Sequence, residues 1–393
     1  MPSLFSAEDL AFQAEVRAFI DAELDPAVRR KLAEHRALSK AEVVKWQRSL
    51  AKRGWATPSW PVAHGGPGWN AVQRYLFLDA LHQAPAPEPL SFNVNMIGPL
   101  LIAFGTPAQQ QRFLPRIANL DDWWAQGFSE PGAGSDLAAL KTRARRASDA
   151  QGEHYIVDGQ KIWQGMAQHA DWMFTLVRTD ASAKPQAGIT LLLIDMRSPG
   201  VTVRPIITLD GRHEVNEVFL DAVRVPVECR VGDENAGWAM TKVLLGHERT
   251  GIARIGMSKR LIARAKALAA TVPSCDGEAS GSLADEPRFR ERAALIEVEL
   301  QALELLQLRL LDGPPDARAS ILKVKGTELR QAASALLLDA AGPRAWAAAD
   351  EFDDEASADT TIAASYLTLR AASIYGGSTE VQKNILAKAV LGL

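Results

Sequence analysis

A chain of 393 residues, 47% of them hydrophobic, is long enough to bury a large core and to divide into two or three domains. Its 44 basic and 47 acidic residues are mixed along the sequence and leave a net charge of -3, which gives no electrostatic footprint for nucleic acid or an anionic membrane. Cys229 and Cys275 lie far apart and suggest neither a disulfide framework nor a metal site; with no apolar leader and no long uncharged apolar run, a cytoplasmic protein is expected.

The first third has the helical period. Ser6 with Asp9 forms a capping-box pattern, after which Phe12, Val16, Phe19 and Ile20 recur on one face. Ser39 with Glu42 repeats the device before Val43, Val44 and Leu50, and Gly54 is placed to end that helix. Residues 71–82 and 91–104 are expected as further helices, the second closed by Gly105, with Thr106 and Pro107 opening another. His64-Gly65-Gly66-Pro67-Gly68 lacks the preceding strand that a phosphate-cradling motif requires and reads as a loop.

From Trp123 the period changes to two. His154 to Trp163 reads as a hairpin turning at Asp158-Gly159. Trp172 to Val177, Ile189 to Ile194, Val201 to Pro205 and Val218 to Val225 follow as strands, too uniformly β for a nicotinamide-binding Rossmann unit. Helices return at Gly237: Leu244 to Leu268, Phe289 to Leu311, Ala317 to Ala341 and Asp359 to Tyr375 suit an antiparallel bundle, with 273–287 as a connector. Gly376-Gly377 interrupts the last helical stretch. The fold class is therefore α+β, with an N-terminal helical domain (1–122), a central small β-barrel or sheet domain (123–229) and a C-terminal four-helix bundle (230–393).

One stretch concentrates chemistry: Gly127-Phe128-Ser129-Glu130-Pro131-Gly132-Ala133-Gly134-Ser135-Asp136. Its glycines and proline force a tight turn and leave backbone N–H groups and two serine hydroxyls open to an oxygen-rich cofactor; taken alone, it reads equally as a polar hairpin corner.

This segment resembles the signature of the acyl-CoA dehydrogenase family. The likeness continues, in family order, at Asp158-Gly159-Gln160-Lys161-Ile162-Trp163, at Glu248-Arg249-Thr250-Gly251-Ile252-Ala253 and at Ile374-Tyr375-Gly376-Gly377-Ser378-Thr379-Glu380-Val381-Gln382-Lys383-Asn384. Within the family, His213 to Phe219 looks closest to the large subunit of pimeloyl-CoA dehydrogenase and relatives acting on bulky or ring-containing thioesters. The resemblance implies FAD held by Gln126, Phe128, Ser129, Trp163, Gly165 and Ser378, and acyl-CoA contacted by Ser135, Arg249, Tyr375 and Gly376.

The chemistry needs a carboxylate base for an α-proton and a hydride acceptor. Most family members place a Glu between the Tyr and Gly of the closing motif, where this chain has Gly376. Others, isovaleryl-CoA dehydrogenase among them, carry the base on the facing helix just before an Arg, which is the position of Glu248. By composition alone Glu248 is a solvated helix residue; Leu244 and Leu245 beside it would bury it and raise its pKa. Ser135 reads as a ligand contact or a helix cap, Trp163 as a flavin cover or core, and Arg249 as a substrate or interface residue.

Departures from the family pattern matter as much. Trp163-Gln164-Gly165 stands where members have Trp-x-Thr, so a backbone N–H would replace the threonine hydroxyl near the flavin. Phe289 to Ala293 and Leu338 to Gly342 lack the Arg-x-Gln-Phe-Gly and Gln-x-x-Gly-Gly segments that hold a neighbouring subunit's flavin. The expectations are a dehydrogenase passing electrons to an electron-transfer flavoprotein, a non-catalytic or half-site subunit, or an acyl-CoA oxidase. Any of them would be a homo- or hetero-oligomer, a dimer or tetramer, with room for a second acyl-CoA dehydrogenase-like subunit.

Overall fold

A computed structural model describes residues 5–247, 251, 253–274, 281–311, 317–346 and 361–393. Six helices open the chain: α1 (Ala7–Glu23), α2 (Pro26–Ala33), α3 (Lys40–Arg53), α4 (Ala71–Gln83), α5 (Gly98–Phe104) and α6 (Pro107–Ala118). Capping boxes at Ser6, Ser39, Asn70 and Thr106 satisfy the first free N–H groups of α1, α3, α4 and α6, and Gly54 closes α3 in the left-handed conformation. Val16, Ile20, Trp46, Leu50, Phe77 and Leu81 form the core between these helices. The stretch expected as a helix over 91–104 is divided: Phe92–Ile97 is a wider π-helical segment before α5. Pro99 has no N–H to continue the α-helical ladder, and the Asn93 side chain instead bonds the carbonyl of Asp122 at 2.8 Å and the N–H of Trp124 at 3.0 Å, locking this helix to the sheet.

The sheet comprises β1 (Trp124–Gly127), β2 (Arg143–Asp149), β3 (Gly152–Gly165), β4 (Trp172–Arg178), β5 (Ile189–Asp195), β6 (Val201–Ile206), β7 (Val215–Pro226) and β8 (Arg230–Val231). Its order is β6-β7-β3-β2-β4-β5-β8, with β1 parallel to β4. Asp158-Gly159 is not a turn. The chain reverses at Ala150-Gln151, and β3 runs unbroken through Asp158 because β7 pairs along it, with irregularities at Val157/Gly159 and Ile162/Gln164. Asp158 Oδ1 accepts the N–H of Ala222 at 2.9 Å, and a Cβ at Gly159 would lie 2.7 Å from the Thr142 Cα, so the pair marks a bulge under close backbone approach.

The C-terminal helices are α7 (Gly237–His247), α8 (Ile255–Ala269), α9 (Pro287–Arg309), α10 (Ala319–Ala341), α11 (Ile362–Thr368) and α12 (Thr379–Leu386). The helix expected from Leu244 to Leu268 is not continuous: Arg254 takes a left-handed backbone (φ 48°), and α8 starts after it. The stretch toward Tyr375 ends as a 3-10 helix, Leu369–Ser373. The expected connector is pinched where Ser274 N–H meets the Gly281 carbonyl at 3.0 Å; residues 275–280 lie outside the described residues. Among the described residues no helix is long and apolar enough to cross a membrane, and no cluster of side chains is suited to a metal ion.

Candidate active site

The chemistry-bearing loop leaves the sheet at the end of β1. Gln126 pairs with Phe174 in register, and Phe128 is buried edge-on against the Phe174 ring, centroids 5.7 Å apart. The Ser129 carbonyl accepts the Ile162 N–H at 3.0 Å and the Gln164 side chain at 3.2 Å. Glu130 then meets Lys161 at 2.8 Å, with the Lys161 side chain wholly buried. Lys161 also donates to the carbonyls of Phe128 (3.2 Å) and Leu176 (2.7 Å), while Glu130 accepts the N–H groups of Lys141 (2.6 Å) and Thr142 (2.9 Å). Four segments are thus tied through two side chains whose donors and acceptors are met inside the protein. Burial pushes the Lys161 ammonium pKa down to about 8, against the pull of Glu130. Burial also acts to raise the Glu130 carboxyl, but Lys161 and the donors around it win and hold it below the usual carboxylate range.

Trp163 lies between the bonded residues Ile162 and Gln164. It is the extra residue of the bulge, with φ 66°, and its indole is 58% exposed, which removes the core reading. Buried amides brace it: Asn216 donates to the Gln164 carbonyl (3.1 Å) and to Gln168 (2.7 Å) and pairs with His213 Nε2 (2.7 Å). His213 and Glu214 shape this loop, the Glu214 carbonyl taking the Met166 N–H at 2.8 Å. At Gly165, a Cβ would lie 2.9 Å from the Phe92 ring: an aromatic side chain from the helical domain fills the space next to the missing threonine side chain. Ser135 is exposed, and Asp136 opens the short 3-10 turn Leu137–Ala139 without a side-chain cap, which removes the capping reading of Ser135.

A second group is gathered on the helical side. Tyr375 is 53% exposed, and Gly376 and Gly377 after it have φ 64° and 87°, left-handed values that glycine adopts without a Cβ penalty. Lys323 of α10, buried, donates to the carbonyls of Ala372 (2.6 Å) and Tyr375 (2.7 Å) and sits 4.9 Å from the Tyr375 ring centre. Ser378 caps α12, accepting the Val381 N–H at 3.4 Å. Arg330, also buried on α10, has its Nε without a hydrogen-bond partner among the described residues; burial lowers its guanidinium pKa while the neighbouring Tyr375 and Glu88 oppose that. Glu88 bonds His82 Nε2 at 2.8 Å and Arg254 at 3.3 Å; burial would raise its carboxyl, but Arg254 and His82 hold it well below the usual range.

Glu248 and Arg249 lie outside the described residues; Leu244 of α7 before them and Ala253 after them are buried. Glu380, another carboxylate of the closing motif, is exposed in the first turn of α12 and held ionised by backbone and Ser378 bonds, unlike a base with a raised pKa. Glu130, Lys161, Asn216, Lys323 and Arg330 were not anticipated. One signal was available for Lys161: in β3 it shares the inward parity of Tyr155 and Val157. None was available for Lys323 or Arg330, whose partners are 45 and more residues away.

This arrangement of a helical domain, a bulged sheet bearing a glycine loop, and a bundle ending in a double-glycine turn defines a class. Three family models match in order: the acyl-CoA dehydrogenase N-terminal domain over residues 6–121, the middle domain over 125–223 and the C-terminal domain over 235–391. The chain belongs to the acyl-CoA dehydrogenase family, whose members are flavin-dependent oxidoreductases acting on acyl-CoA thioesters. It is similar to acyl-CoA dehydrogenase IpdE1 of Mycobacterium tuberculosis, 36% identical over 92% of this chain and 90% of that one. Among solved structures it is similar to the Tcur3481-Tcur3483 steroid ACAD (30% identity, TM-score 0.86, 100% of this chain and 99% of that chain). It is likewise similar to the ChsE4-ChsE5 complex of Mycobacterium tuberculosis (30% identity, TM-score 0.84, 100% and 99%). Both of these structures carry the names of two different chains.

Proposed function

We propose that this chain converts an acyl-CoA thioester to the 2-enoyl-CoA with FAD as cofactor and Glu248 as the α-proton base. The observation that supports it most is the exposed side chain of Trp163, held on a left-handed bulge by buried polar bonds beside an open glycine loop: a flat apolar surface that the described residues leave more than half uncovered. Ser129 fits the same purpose, since its hydroxyl has no hydrogen-bond partner among the described residues. Phe128, Trp163 and Gln126 would hold the ring system, with Ser129, the Gly165 peptide and Ser378 as polar contacts. FAD, when bound, supplies the acceptor for the β-hydrogen and its electron pair and passes the electrons to an electron-transfer flavoprotein.

The chain's own residues account for the rest. Glu248, on the segment between α7 and α8, takes the α-proton. Ser135, Arg249 and Tyr375 contact the thioester. Gly376 leaves the side of the α-carbon that a glutamate usually crowds open to a branch or ring, and the likeness to the Tcur3481-Tcur3483 steroid ACAD supports a bulky, ring-bearing acyl group.

One observation favours a second reading, a half-site subunit completed by a different acyl-CoA dehydrogenase-like chain. The two segments that in other members reach toward a neighbour's flavin are here tied to each other, Arg292 to Asp339 at 2.7 Å. The Asp339 carboxylate thus engages the Arg292 guanidinium, a donor that a diphosphate would otherwise use. The test is the absorbance of the purified chain, alone and with a candidate partner, under straight-chain and ring-bearing thioesters. Flavin absorbance bleached anaerobically by a ring-bearing thioester is expected. Bleaching that needs the partner assigns the half-site role, and oxygen consumption without an electron-transfer flavoprotein assigns an oxidase. A chain that stays colourless with FAD and partner present sinks the catalytic reading.

A further inference from the structure

The polar group beside Tyr375 holds more positive charge than the protein answers. Arg330 is 3% exposed, and its Nε donates to nothing among the described residues. Neither it nor Arg260 of α8 has an ion-pair partner there. Glu88 is the carboxylate that acts on both, and it is already bonded to His82 at 2.8 Å and to Arg254 at 3.3 Å. Arg254 is held in this group by a left-handed backbone (φ 48°), a strain that a non-glycine residue keeps where the surroundings impose it. Three guanidiniums thus share one carboxylate, and the most deeply buried of them keeps a free donor.

A buried charged donor without an acceptor keeps its full desolvation cost, so a protein that retains one leaves room for a ligand to complete it. A water or a ketone would satisfy the Nε hydrogen bond and leave the excess charge. A carboxylate satisfies both, and the guanidinium fork offers it paired, charge-assisted donors. Position says which part of a ligand brings it. Tyr375 is 53% exposed and Arg330 beside it is buried, so a thioester lying on Tyr375 meets Arg330 with its acyl portion, while the large, hydrated phosphates of CoA stay outside. We propose that Arg330, with Arg254 beside it, binds a second carboxylate carried by the acyl group, so that the substrate is the mono-thioester of a dicarboxylic acid, a ring bearing an acid among them. The proposal rests on the reading of Tyr375 as a thioester contact and narrows the substrate class of that same site.

The test compares three CoA thioesters built on one ring, bearing a carboxylate, a ketone or neither, on the full FAD-loaded chain, with a partner subunit wherever bleaching requires one. Flavin bleaching gives kcat/KM, and calorimetry gives the dissociation constants of thioether analogues, which lack the carbonyl that acidifies the α-proton. The carboxylate should be favoured at least about tenfold over both others in each measurement. Arg330→Met should bring the three within about threefold, and it should not lower the thermal midpoint of the ligand-free chain, because it removes a buried charge that has no partner. Arg330→Lys keeps the charge and should keep part of the preference. A wild-type preference below about tenfold overturns the proposal, whether or not Arg330→Met folds. So does a preference that survives Arg330→Met. If discrimination fails while bleaching persists, only this proposal falls; if none of the three thioesters bleaches the flavin or binds, the dehydrogenase reading falls with it.

Discussion

The two halves of the candidate site are built differently. On the sheet side, Ser129, Glu130, Lys161 and Gln164 fix the loop and Trp163 through short bonds among four segments, all inside the protein. On the helical side, Tyr375 and the double glycine hang from α10 by Lys323, with half of the Tyr375 side chain in solvent and the two glycines after it in left-handed turns. The first half is a rigid frame and the second a suspended edge. A cofactor of fixed shape needs the frame, because its ring must meet donors within a few tenths of an ångström. A bulky acyl group is better met by an edge with glycine in place of a side chain.

The largest effect should come from the helical side. Glu248→Gln keeps the side-chain volume but removes the proton acceptor, so flavin reduction should slow by roughly 10² to 10⁴-fold while the thioester still perturbs the flavin spectrum. Stopped-flow reduction at the wild-type rate would transfer the role to another carboxylate.

The frame is tested next. Lys161→Met leaves Glu130 buried without its cation and should cost about 3 to 5 kcal/mol, with loss of flavin on gel filtration. Lys323→Met removes two bonds to carbonyls and should cost less, about 1.5 to 3 kcal/mol, with flavin retained and the thioester KM raised. Urea midpoints decide the order; a larger loss for Lys323→Met would invert the contrast between frame and edge.

The boundary between the frame and the helical domain offers a smaller effect. Gly165→Thr restores the family's side chain, but its Cβ would press on Phe92 and should destabilise by about 1 to 3 kcal/mol. Phe92→Ala in the same chain should recover much of that. If the single change costs nothing in thermal unfolding, Phe92 does not occupy that space in solution.

The smallest concerns the joint where the sheet's Arg212 and the α8 residues Arg260 and Arg264 surround His35. Unfolded, a histidine titrates near 6.5. Burial and the three arginines lower His35 to about 3, so the folded ring stays neutral while the unfolded one takes up a proton. Stability should therefore fall as pH drops from about 6.5 toward 3, by on the order of 1 kcal/mol per pH unit. His35→Asn should flatten that part of the melting-temperature curve; an unchanged slope would place the acid sensitivity elsewhere.

The sequence by itself determined what depends on neighbours three or four residues apart: the capping boxes at Ser6 and Ser39, the Thr106 cap with Pro107, the glycine stop of α3, the strands from Trp172 to Val225, and the glycine-rich turn at 127–136. Such signals are local hydrogen bonds and periodicities, so they survive without the rest of the chain. Tertiary structure decided whatever needed a partner far along the chain. Asp158-Gly159 carries a turn's chemistry, yet β7 pairs along β3 and makes it a bulge; Arg254 breaks a helix that periodicity alone would continue; Lys161 looks like a surface lysine until Glu130 and two carbonyls close round it. In each, a local preference worth about 1 kcal/mol was outweighed by the burial and satisfaction of polar groups brought together from distant segments, and no window of the sequence contains both sides of that balance.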